Sequence, residues 1–303
     1  MKKHLAIAAL ILFCLPGQVQ AQTRPQAQGN AAGLSADEIF VHACCNGTPD
    51  LIRRAIAAGA KVNVMPEGGP SPLAAALMCP GDKKGKVKTL LAAKADPNFL
   101  PGDLSELAIA VGLGDLEIIT DLFEAGAVVK KNHARPILVE AATVSFLWQP
   151  EDHAQLLALL IKHGADVKAG RPDGTTPILA AAHHGGPQAL KTLLEAGAKG
   201  QINQPNQYGM TPLMIAARNN PNLESITVLL EHGADPRQKD QAGLSAADQA
   251  ERNTSPAAPE IKKAIEAAAE KVKAVRELSS SFPAETPEPP LNCGGKWPLR
   301  GSE

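Results

Sequence analysis

Large rings are scarce in this chain: aromatic residues make up 3% of 303 positions, with a single Tyr and two Trp. One globular core of this length normally uses more of them, so the scarcity favours an array of repeated units. An excess of one charge is missing too, since 30 basic residues stand against 31 acidic ones. Binding to phosphate backbones needs a concentrated basic face, which excludes nucleic acid as the main partner. The chain has no G-x-S-x-G, no H-E-x-x-H and no paired Cys-x-x-Cys, so the common signatures of nucleophilic and metal catalysis are absent and no cofactor or metal is expected. Beyond the first residues no apolar run is long enough to span a bilayer.

The exception is the beginning. Lys2 and Lys3 precede an apolar run from Leu5 to Leu15, followed by Pro16, Gly17 and a Val19-Gln20-Ala21 ending. That order of basic start, short apolar stretch and small-x-small site reads as an export signal, and a run of this length is roughly half what a transmembrane helix needs. Phe13 before Cys14 does not fit a lipoprotein signal. The expectation is cleavage after Ala21, a flexible leader over 22–33, and a mature chain that is periplasmic or secreted and has no membrane span.

The stretch that organises the rest is DGTTPILAAAHHGGPQALKTLLEAGAK, from Asp173 to Lys199. Thr176 and Pro177 form a helix start, with the Thr hydroxyl expected to cap a free N–H and Pro at the first helical position. Gly185, Gly186 and Pro187 stop that helix. Leu190, Leu193 and Leu194 then recur at helical spacing, and Gly197 closes a second helix. The same arrangement returns as YGMTPLMIAARNNPNLESITVLLEHGADPR, from Tyr208 to Arg237. A fixed period of this size is the mark of a solenoid.

On the TPILAAA and TPLMIAA starts and the GAD endings, the chain resembles the ankyrin repeat, a unit of about 33 residues built as a β-turn plus two helices. Leu179 and Met214 stand where the family's motif has His. The resemblance implies an all-α solenoid of about six to seven helix-turn-helix units with short β-turn tips, over 34–278. A degenerate first unit covers Leu34–Val64, with Ser35 or Asp37 as cap. The second, Pro66–Phe99, has Lys94 in place of the closing Gly. In the third, Leu100–Lys131, Glu106 replaces Pro. The fourth, Asn132–Gly170, carries an insertion from Thr143 to His153 containing Phe146, Leu147 and Trp148, read as a lengthened helix or a protruding finger. A seventh unit, Asp240–Leu278, ends in a capping helix whose stripe is Ile261, Ile265, Ala268, Val272 and Val275. The Pro- and Gly-rich tail, 279–303, is not expected to form a further unit.

Few groups are left over for chemistry. GDKKGKV, from Gly81 to Val87, fails the phosphate-loop pattern in both spacing and closing residue, so Lys83, Lys84, Lys86 and Lys88 read as a solvated loop and helix face. His163 and His232 suit the negative ends of outer helices. Without the signal, four cysteines remain: Cys44, Cys45, Cys79 and Cys293. Aligned on the repeat, Cys44 is a buried position. Cys45 and Cys79 lie on adjacent inner helices, whose 8–10 Å spacing (roughly) is beyond disulfide reach without a local shift. Cys293, on the tail, reaches either. Buried free thiols are the alternative.

Ankyrin-family ligands usually lie across turn tips and inner helices. That resemblance nominates Arg171, Asp173, Asn206 and Tyr208 at tips and His183, His184, Arg218 and Asn219 on inner helices as the surface for a protein partner. The expected function is an exported interaction scaffold, not an enzyme, with a periplasmic enzyme or a toxin among the partners considered. Two other classes stay open on sequence: an enzyme centred on Cys44, Cys45 and Cys79 or on His183 and His184, and an envelope spacer without a stoichiometric partner.

Overall fold

A computed structural model describes residues 35–100, 105–130, 135–144 and 149–281. The expected signal, the leader, most of the tail with Cys293, and Phe146, Leu147 and Trp148 of the insertion lie outside the described residues. Within them the chain forms fourteen α-helices in seven pairs: α1 (Ala36–Asn46) with α2 (Pro49–Ala57), α3 (Pro72–Met78) with α4 (Lys83–Ala92), α5 (Glu106–Leu113) with α6 (Leu116–Glu124), α7 (Ile137–Thr143) with α8 (Pro150–Lys162), α9 (Pro177–His184) with α10 (Pro187–Glu195), α11 (Pro212–Asn219) with α12 (Leu223–Glu231), and α13 (Ala246–Ala250) with α14 (Ala258–Ser281). No strand is present among the described residues. The first helix of each pair packs on the first helix of the next, giving an unbroken inner row from α1 to α13. Outer helices stack as α2–α4–α6 and as α8–α10–α12–α14. Between those blocks the rings of Phe123 and His163 stack, their centroids 3.8 Å apart.

The inner helices are short and buried nearly all round because Ala and Leu let them approach closely. Ala74 to Leu77, Ile178 to Ala182 and Leu213 to Ala217 are all buried. Outer helices bury one stripe each, such as Leu190, Leu193 and Leu194 in α10. Each fully buried Leu is worth roughly 1.5–3 kcal/mol, and a unit captures it only against a neighbour.

Helix starts follow the caps read from sequence at Ser35, whose hydroxyl and Glu38 form a reciprocal box, and at Thr211, where the Met214 N–H donates to the hydroxyl. Thr176 departs from expectation. Its backbone has the extended cap geometry and Pro177 occupies the first position, but the hydroxyl caps nothing and is buried without a partner among the described residues. The backbone and the proline alone start α9. Lys94, where a closing Gly was missing, takes the same left-handed turn as the glycines, with φ 65°. The insertion in the fourth unit lengthens α8 at its start to 13 residues. His153 is buried there, with Nε2 3.1 Å from the Ala141 carbonyl oxygen. Helix α14 runs to Ser281, three residues beyond the boundary expected at 278. Ile261 and Ile265 of its stripe are buried.

Polar groups tie one unit to the next. Asn63, Asn98 and Asn203 each donate to a carbonyl at the end of the next outer helix and accept a backbone N–H from the same loop. On the inner row, Asn220 donates to the Ala182 and Gly185 carbonyls, and Asn253 to those of Ala217 and Asn220. These bonds satisfy carbonyls that a helix end leaves free.

Candidate functional site

The turn tips before α9, α11 and α13 share one construction. Arg171, Asn206 and Asp240 each donate a backbone N–H four residues on, to Thr175, Met210 and Leu244, and accept one from Gly174, Gly209 and Gly243. Neighbouring tips are linked edge to edge, the Gln207 N–H donating to Asp173 O and the Gln241 N–H to Tyr208 O. At Gly209, with φ 76°, a Cβ would stand 2.8 Å from the Gln241 nitrogen, so only Gly permits this approach.

That construction uses up several residues nominated for binding. The Asp173 carboxylate accepts the Thr175 N–H at 2.8 Å, a bond that holds it below its ordinary pKa. The Asn206 side-chain oxygen Oδ1 accepts the N–H groups of Tyr208 and Met210. Arg171 reaches Glu140 of α7 at 2.9 Å, and Arg135 binds the same carboxylate. Burial opposes ionisation of Glu140, but the two guanidinium groups outweigh it and hold its pKa below the usual carboxylate value. These three residues shape the tips.

What faces solvent is narrower. Tyr208 is 62% exposed. Arg218 and Asn219 are exposed at the end of α11, and Asn219 donates to Ile215 O. Arg218 lies six positions after the first residue of α11, about 9 Å along the axis, so Tyr208, in the tip before α11, and this pair stand at opposite ends of that helix. His183, on α9 beside it, is half-buried. The side chain of His184 lies outside the described residues.

At the other end of the stack, Cys45 and Cys79 form a disulfide with Cα atoms 5.0 Å apart. The inner-helix spacing does not block it, because α3 stops at Met78 and Cys79 has already turned to extended backbone, with ψ 156°. Cys44 is buried and unpaired, and burial pushes its thiol up to about 12, against the opposing charge of Lys86. A paired Cys45 and Cys79 beside a thiol this hard to ionise leave no thiolate nucleophile here.

Two lysines of GDKKGKV correct the solvated-face reading. Lys86 is fully buried, its ammonium donating to Cys45 O at 2.7 Å and Pro80 O at 3.0 Å. Lys83 donates to the carbonyls of Leu77 and Cys79. Both saturate carbonyls where α1 and α3 end, as Asn220 and Asn253 do further along. Lys84 and Lys88 are exposed and bridge to Glu117 of α6, whose carboxyl they hold down at about 2. The signal that could have marked Lys86 as buried is its place on the helix face that also carries Val87 and Leu90. Among the described residues no group of three or more His, Cys, Asp or Glu is placed to hold a metal ion, and no helix is long and apolar enough to cross a membrane.

Helix pairs stacked in register, with paired turns along one edge, define a repeat solenoid. Residues 144–240 match the family model described as ankyrin repeats (3 copies), so the chain carries ankyrin repeats there. It is 28% identical over 210 residues to the human ankyrin repeat and SOCS box protein 16, across 64% of this chain and 44% of that one. A putative ankyrin repeat-containing protein from Treponema pallidum (strain Nichols) is 30% identical over 168 residues, across 54% of this chain and 51% of the relative. The crystal structure of the human ASB11 ankyrin repeat domain superposes with a TM-score of 0.59 at 25% identity, covering 74% of this chain and 96% of that one. The chain spans about half the length of the curated relatives it matches.

Proposed function

We propose that this chain is an exported scaffold that binds another protein through the rim formed by the tip at Tyr208 and the end of α11 at Arg218 and Asn219. The observation that carries the reading is the division of labour in the repeat. Leu and Ala are consumed by stacking, Asp173 and Asn206 by hydrogen bonds within the tips and Arg171 by its ion pair with Glu140, and an exposed Tyr at a tip and an exposed Arg at the far end of α11 remain. Tyr and Arg are the residue types most often found as energetic anchors of interfaces. Ankyrin repeats act as protein-binding scaffolds, which supports the class of partner.

Export rests on the basic, apolar and small-residue order of the first 21 residues. The Cys45–Cys79 disulfide supports it, since such bonds persist in oxidising compartments. In the periplasm the partner is a folded enzyme or a delivered toxin. The test is affinity capture of the tagged mature chain from native envelope extract, followed by mass spectrometry. A stoichiometric protein that is lost with Tyr208→Ala combined with Arg218→Glu supports the reading. Recovery of no stoichiometric partner favours the envelope spacer instead.

A further inference from the structure

The two ends of the stack differ chemically. At the C-terminal end, α14 turns Lys263, Glu266, Glu270, Lys271 and Lys273 to solvent, a face that ends the array. At the N-terminal end, a groove of about 820 Å³ runs between α1 and α2, floored by alanines. Ile39 is 51% and Leu51 43% exposed there. In a stacked-repeat protein an apolar end face has the character of a surface made for another unit.

We propose that this end face docks a second copy of the chain about a twofold axis parallel to the helices, α1 of each copy lying over α2 of the other. Size complementarity supports this arrangement. The helices of a pair run antiparallel, so Ile39, near the start of α1, lies level with Ala58 and Gly59 at the end of α2. Leu51, near the start of α2, lies level with Ala43 and Gly47. Both intervals, Ile39 to Gly47 and Leu51 to Gly59, are eight residues, about 12 Å at helical rise. The axis therefore sets each large side chain over the small residues of the other copy. Charge agrees as well: Asp37 and Lys61 lie at the same end of the face, one on each side of the groove, and the rotation brings each Asp37 to Lys61 of the second copy.

The charged face of α14 blocks head-to-tail growth, so the assembly closes at two. Fourteen residues line the groove, fewer than the roughly 20–30 per side of a standard interface, which places the dimer among the smaller, transient kind. The Cys45–Cys79 bond fastens the end unit to its neighbour and holds the docking face in place. Such a dimer leaves both Tyr208 rims free and makes the scaffold bivalent.

Sedimentation equilibrium of the mature chain, residues 22–303, from about 1 to 200 µM decides it. The expected result is a monomer–dimer equilibrium that Ile39→Asp abolishes with an unchanged thermal melt. Asp37→Lys and Lys61→Glu each weaken dimerisation by about tenfold, equivalent to roughly 1.4 kcal/mol, and an equimolar mixture of the two recovers a heterodimer, because every cross-copy pair is then opposite in sign. A monomer throughout the range overturns the proposal. So does a dimer indifferent to these substitutions, or one that appears only after deletion of residues 22–33, which would assign the groove to the chain's own leader.

Discussion

Lys94 is the one described non-glycine residue held at positive φ. An L-residue in that region is strained by about 1–2 kcal/mol, and Gly loses part of that advantage through its greater freedom when unfolded. Lys94→Gly is therefore expected to stabilise the second unit by about 0.5–1 kcal/mol, read as a higher denaturation midpoint. Glu106 makes the opposite case. It occupies the first position of α5, where other units have Pro, and is fully buried, accepting from Leu100 N–H and the Ser71 hydroxyl. Burial raises its pKa above the ordinary carboxyl value, and Asp96 adds to the rise. The folded state then holds a proton that the unfolded state has released, so this site's stability is full below the ordinary carboxyl pKa and is lost as pH rises through the folded value. Urea denaturation of Glu106→Gln beside the wild type at pH 4 and pH 8 is expected to show the variant gaining in relative stability at the higher pH. Equal gaps at the two pH values would contradict the burial argument.

At the scale of the element, the bonds that join one unit to the next matter more than propensity within a helix. Asn220 is buried and supplies two carbonyls of the preceding unit, besides accepting the Asn222 N–H. Asn220→Ala leaves those groups unpaired and is expected to cost about 2–3 kcal/mol. Amide exchange should rise at Asn222 and around the end of α9, while the remote α3 stays protected. Helix starts, closing glycines and Leu stripes were legible in the sequence because their chemistry is local: a cap acts within four residues, and a stripe repeats at the helical period. The contacts at the inner-helix ends were not legible, because Asn220 acts 35 residues away on Gly185, and Lys86 acts 41 residues away on Cys45. Likewise Arg171 reads as a free cation until α7 brings Glu140 beside it. The candidate site was thus half legible. Sequence nominated Tyr208 at a tip and Arg218 and Asn219 on an inner helix, but did not show that Asp173 and Asn206 bond within the tips or that Arg171 pairs with Glu140.

Over the whole molecule, the seam of leucines and alanines is closed to other molecules, and the outer helices present charges that neutralise one another, as Lys191 does with Glu224. Tyr208 and Arg218 are exposed outside that seam and are the contact groups proposed for a protein partner. Site-specific photo-crosslinking in native cells tests this directly, with a benzophenone side chain at Tyr208 or Arg218 and, as a control, at Lys191 on the outer face of α10. Discrete crosslinks to a protein from positions 208 and 218 with none from 191 are the predicted result. Crosslinks from Lys191 with none from the rim would contradict it.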